Sequence, residues 1–137
     1  MRTVRIDRSK WRCGPADNLR GHSLKRGQTD TELSCETGKC CLGFAANQLH
    51  GISFESMNAE AATDPSCLTD IPKSSVLIEM RGENNPSGPY KACSTLSKKA
   101  MVINDKRGST RAQKEIALTK LFAKYDIKLE FYGEYTY

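Results

Sequence analysis

Between Leu118 and Phe131 the apolar residues change period. Leu118, Leu121, Phe122 and Tyr125 recur at i, i+3, i+4 and i+7, the stripe of a half-buried helix. Ile127, Leu129 and Phe131 then alternate with Lys128, Glu130 and Tyr132, the two-residue repeat of a strand with one inward face. The pattern predicts a helix over 110–125, capped by Ser109 or Thr110, and a strand over 127–132. Helix and strand in immediate succession point to helices packed on a sheet.

The same repeats run through the rest of the chain. Val4 and Ile6 alternate with Thr3, Arg5 and Asp7, which predicts a strand over 2–7. Trp11, the only tryptophan, is expected to fold back on the core before Gly14-Pro15 breaks the backbone. Residues 12–37 show no period and read as an irregular basic excursion, with Leu19, Leu24 and Leu33 as candidate anchors. Gly38-Lys39-Cys40-Cys41-Leu42-Gly43-Phe44 reads as a short buried strand, 39–42, passing into a helix, 44–50, that Gly51 ends. Residues 52–73 read as polar connection, and 75–80 as either a buried strand or a short helix. Residues 81–89, rich in Asn, Pro and Gly, are a loop; Ala92, Cys93, Leu96, Ala100, Met101 and Ile103 predict a helix over 90–103. The expectation is one α+β domain spanning 1–137, with a small, mostly antiparallel sheet of strands 2–7, 39–42 and 127–132, and 75–80 as a further candidate. Helices 44–50, 90–103 and 110–125 cover it. A chain of 137 residues is long enough to bury such a core without disulfides or a metal.

Six cysteines would suit a secreted disulfide framework, but the opening Met1-Arg2-Thr3-Val4-Arg5-Ile6-Asp7-Arg8 has no apolar run of the kind that directs export. Reduced thiols in a cytoplasm follow as the expectation, with no membrane span. The net charge of +5 is uneven: residues 1–26 carry eight basic residues against two acidic, and the remainder is nearly balanced. A second group of cations, Lys98, Lys99, Lys106, Arg107, Arg111 and Lys114, flanks the turn between the two late helices. These six and Arg8, Lys10, Arg12, Arg20, Lys25 and Arg26 are the candidate contacts for an anionic partner, nucleic acid included. The alternative is a solvated surface, since no nucleic-acid motif is present and aromatics are not interleaved with the cations.

Catalytic and cofactor motifs fare worse. Cys35, Cys40 and Cys41 with His22 and His50 offer soft ligands, but there is no C-x2-C knuckle, and a strand at 40–41 would point the two thiols to opposite faces. Cys41 lies near a helix start, where a dipole lowers a thiol pKa, yet no histidine can be placed beside it, and a cysteine in an apolar run usually belongs to the core. Gly38-x4-Gly43 begins like a phosphate loop and then continues with Phe44 and Ala45 instead of Lys and Ser or Thr. Glu32 with Glu36, and Glu130 with Glu134, read as surface charges. No catalytic residue, metal or cofactor is expected.

Three separated runs resemble a widespread family of small proteins of tailed bacteriophages and prophages, to which no activity is assigned. They are Ile6-Asp7-Arg8-Ser9-Lys10-Trp11, the Gly38 to Phe44 motif, and a C-terminal series: Ile103-Asn104-Asp105, Arg111 to Glu115, Leu121-Phe122-Ala123-Lys124 and Ile127 to Phe131. Arg12-Cys13 stand where relatives have a leucine after the tryptophan, and the longer 12–37 stretch would carry what is specific to this member. The resemblance implies a host bacterial cytoplasm. By analogy with small phage proteins it implies a non-enzymatic accessory protein that binds a host protein or protein–nucleic-acid complex and inhibits a bacterial defence complex. Direct nucleic-acid binding and a Cys41-dependent enzyme are the alternatives.

Overall fold

Strands β1 (Arg2–Asp7) and β6 (Ile127–Tyr132), far apart in sequence, lie side by side. The computed structural model describes residues 1–13, 34–35, 38–60 and 62–135; Leu19, Leu24, Leu33, His22, Glu32 and Glu36 lie outside them, as does most of the 12–37 excursion. The two strands run parallel, with Val4 opposite Leu129 and Ile6 opposite Phe131. Val4, Ile6, Ile127 and Leu129 are buried, and the partly buried Phe131 packs on the same core. The outer face is polar, with Arg5 paired to Glu130 at 3.6 Å. The α+β class holds, but the sheet is not one mostly antiparallel layer. Among the described residues it is one parallel pair, β1–β6, and two short antiparallel pairs. A parallel pair needs a long crossover, and here the crossover is nearly the whole chain.

The expected strand at 39–42 shrinks to β3 (Gly38–Lys39), paired with β2 (Ser34–Cys35), and the chain is helical from Cys41. Lys39 also bridges to Trp11, with Arg12 N donating to Lys39 O at 2.8 Å and Lys39 N to Lys10 O at 2.9 Å. Helix α1 (Cys41–His50) therefore starts three residues earlier than its pattern indicated. Cys40 at the cap position offers no side-chain acceptor; the Cys41 amide donates instead to Asn104 Oδ1, 3.2 Å away. At the other end Gly51 takes φ 69°, the left-handed conformation that a helix terminus assigns to glycine. Gln48 of α1 closes the outer edge of β1: its Oε1 accepts from Arg5 N and its Nε2 donates to Arg5 O, both at 2.6 Å.

Helix α2 (Phe54–Ala59) occupies part of the expected polar connection, and Met57 is fully buried. The reading of 52–73 as connection missed this helix, whose local signals are Ser53, accepting from Ser56 N as its cap, and Glu55 in the first turn. The candidate at 75–80 resolves as strand β4 (Ile78–Arg81), antiparallel to β5 (Tyr90–Cys93) across the loop. Gly82 has φ 75° at the base of that loop, and a Cβ there would lie 2.7 Å from the Tyr90 ring. The expected helix at 90–103 is thus two elements, β5 and α3 (Thr95–Asp105). Ser94 divides them, accepting from Ser97 N as an N-cap. Helix α4 (Arg111–Ala123) starts as expected at Thr110, which forms a reciprocal capping box with Gln113. No described helix is long and apolar enough to cross a membrane.

A lysine-rimmed groove as candidate docking site

Helices α3 and α4 each turn one face to the core and another to solvent. On α3 the inward positions are Leu96, Ser97, Ala100 and Asn104; on α4 they are Lys114, Leu118, Leu121 and Phe122. Sharing only Leu121 with these faces, the two helices line a groove of about 460 Å³. Its floor is Val102, Ile103, Ala117 and Leu121, and its rim is Lys98 and Lys99 from α3 with Lys120 and Lys124 from α4. Among the described residues no acidic side chain lines it. Val102 is 69% exposed.

The twelve cations singled out from sequence separate into distinct environments. Lys98 and Lys99 are on the groove rim, and Lys106 and Arg107 are exposed at the α3–α4 turn. Lys10 is exposed on the far side of Trp11 in sequence. Arg8 is held by Glu115 through Nε at 3.0 Å and a second nitrogen at 2.9 Å, and also donates to Gly133 O; the Glu115 hydrogen bond raises its pKa. Arg12 is only 6% exposed. Arg111 lies against the Tyr135 ring, 5.1 Å from its centroid, and donates to Trp11 O. Lys114 is buried, with Nζ 2.9 Å from Cys13 O and 2.8 Å from Asn104 O. Buried or internally bonded, Arg12 and Lys114 are structural and have no surface to offer a partner. Arg20, Lys25 and Arg26 lie outside the described residues. Sequence reading missed Lys120, Lys124 and Val102. The signal for the two lysines was the spacing Ala117, Lys120, Leu121, Lys124, a stripe on α4 that shares Leu121 with the core stripe; Val102 on α3 had no such signal.

The cysteine motif resolves as interior. Cys40 and Cys41 are 3% and 1% exposed. Burial pushes the Cys40 thiol up to about 12, and the Cys41 thiol well above its usual value, with Cys40 and Asp105 adding to the rise. Cys41 does occupy the first turn of α1, but desolvation outweighs the helix dipole and the thiol stays protonated. A Cys41 nucleophile is therefore not supported. Among the described residues, no three His, Cys, Asp or Glu side chains converge as metal ligands would.

A second cleft of about 380 Å³ lies where α1 ends, lined by Arg2, His50, Ser74, Ser75, Tyr125 and Asp126 among others. His50 Nε2 is 2.6 Å from Ser75 Oγ, and Ser75 Oγ also accepts from Leu77 N. Burial, helped by the Arg2 charge, lowers the His50 pKa. A serine oxygen committed to a backbone amide, and only 5% exposed as a residue, is a turn-forming group rather than a poised nucleophile. No protein-family model, curated protein or solved structure matches the chain.

Proposed function

We propose that the chain is a non-enzymatic phage accessory protein that works by docking a protein of its bacterial host, in the host cytoplasm, and thereby blocks a defence complex. The α3–α4 groove carries this reading. Apolar side chains line its middle and four lysines its edges, the apolar centre and polar rim that protein interfaces share. The phage and anti-defence parts rest on the resemblance of the Gly38 to Phe44 and C-terminal runs. The structural roles of Trp11, Asn104, Lys114 and Glu115 explain why those runs would persist without a shared active site.

The nucleic-acid alternative has its own support in Lys106 and Arg107, exposed at the α3–α4 turn. An apolar floor adds nothing to a phosphate contact, so the groove favours protein over nucleic acid. Tagged wild-type protein and Val102→Asp, incubated with infected-host lysate and with labelled single- and double-stranded oligonucleotides, separate the two. The docking reading expects one host protein retained by wild type and lost with Val102→Asp. Retardation of an oligonucleotide that Val102→Asp leaves intact, with no such host protein, would replace it by the nucleic-acid reading.

A further inference from the structure

We infer that the groove between α3 and α4 takes an acidic amphipathic helix of the partner, apolar on one face and carrying Asp or Glu along both flanks. The inference rests on the docking reading and names the chemistry of what docks. The walls of the groove are two helices with satisfied backbones, so no strand edge is present there to pair with an extended peptide, and a third helix laid between two is the packing that remains. The lining runs from Ala117 to Lys124 on α4, seven residues along, which is about 10 Å, or roughly two turns of an occupant. Two turns present three or four apolar side chains at i, i+3, i+4 and i+7, enough to cover Val102, Ile103, Ala117 and Leu121.

Charge selects the flanks. Lys98 and Lys99 stand on one wall and Lys120 and Lys124 on the other, so both edges of the occupant meet cations. None of the four makes an ion pair with a described residue. A second copy of the same groove would bring lysines against lysines, which disfavours self-association through this face. An occupant with acidic residues on both sides of its apolar stripe neutralises the rim and covers the floor together, which neither a basic helix nor a neutral one does.

A random 16-residue peptide library displayed on phage, selected in parallel on immobilised full-length wild-type protein and on Val102→Asp, tests this. Val102 is largely exposed, so its substitution leaves the fold in place, as circular dichroism would verify. Selection is expected to enrich, on wild type only, peptides with helical apolar spacing and flanking Asp or Glu. A synthetic copy of the strongest should bind in solution, and should weaken about tenfold or more when Lys98 and Lys120 are both changed to Glu. Peptides that depend on Val102 but lack acidic flanks would overturn the inference and leave the docking reading standing. Identical enrichment on both proteins, or none, would overturn both. Binding of phosphatidylglycerol vesicles or of duplex DNA that Val102→Asp abolishes would reassign the groove to that ligand and also overturn the inference.

Discussion

Asn104 uses every hydrogen-bonding position of its amide. Its Oδ1 accepts from Trp11 Nε1 at 2.8 Å and from Cys41 N at 3.2 Å, and its Nδ2 donates to Arg12 O and to Asp105 Oδ1, both at 2.9 Å. One side chain, 1% exposed, thus ties the segment after β1 and the start of α1 to the end of α3. Asn104→Ala strands a buried indole N–H, a helix amide and a carbonyl, so it is expected to cost about 3 kcal/mol or more in urea denaturation. Asn104→Asp keeps the acceptor for Trp11 and Cys41, loses the donor to Arg12 O and sets a second carboxylate beside Asp105, so it too should destabilise. The thiols make a second test at this scale. Iodoacetamide under native conditions, read by peptide mass spectrometry, should modify the exposed Cys67 and spare Cys13, Cys40 and Cys41 until the chain is unfolded. Lys114 shows what residue type alone conceals. It was read as a surface cation, yet it stands four residues before Leu118, on the same stripe as Leu121 and Phe122. The apolar stripe of α4 extended back one turn falls on it, and the two carbonyls that make the position tolerable come from Cys13 and from the next helix back.

Elements whose signals were local were legible, and those whose limits are set from a distance were not. Helix α4 and strand β6 carry their own period, and α4 its own capping box, so both appeared in the sequence nearly at their observed limits. Strand β5 exists because β4 lies beside it, and the apolar spacing of Ala92 and Cys93 imitated a helix until Ser94 was recognised as the cap. Ser94→Ala should accordingly lower stability by about 1 kcal/mol, measured by thermal melting, through the lost bond to Ser97 N. The C-terminal end of α1 gives a pH test. His50 has its pKa lowered from 6.5, first by burial and then by Arg2, so the unfolded chain takes up the proton before the folded one. Its contribution is fully present at neutral pH and is lost as the pH falls from 6.5 through the lower folded value. The drop in melting temperature between pH 7.5 and pH 5 should be smaller in His50→Gln than in wild type.

The molecule as a whole divides its positive charge between holding the fold and facing outward. Of the surplus in residues 1–26, Arg2 donates to Leu49 O, Arg5 pairs with Glu130 and Arg8 with Glu115, while Lys10 is exposed and Arg20, Lys25 and Arg26 lie outside the described residues. Arg2, Arg5 and Arg8 join β1 to α1, β6 and α4. The lysines of the groove make no such joins, and no count of charges along the chain could have separated the two groups, because what separates them is which carbonyl or carboxylate the fold brings near. That division predicts opposite results for similar substitutions. Lys98→Glu and Lys120→Glu should leave the melting temperature almost unchanged, within about 0.5 kcal/mol of stability, because exposed charges without partners contribute little. Lys114→Met, which removes the buried ammonium bonds to Cys13 O and Asn104 O, should cost about 1–3 kcal/mol. In a capture assay the ranking should invert, with the groove variants losing the partner while Lys114→Met, at a temperature where it is folded, retains it. Loss of capture in Lys114→Met at such a temperature, with the groove variants unaffected, would move the binding face away from α3 and α4.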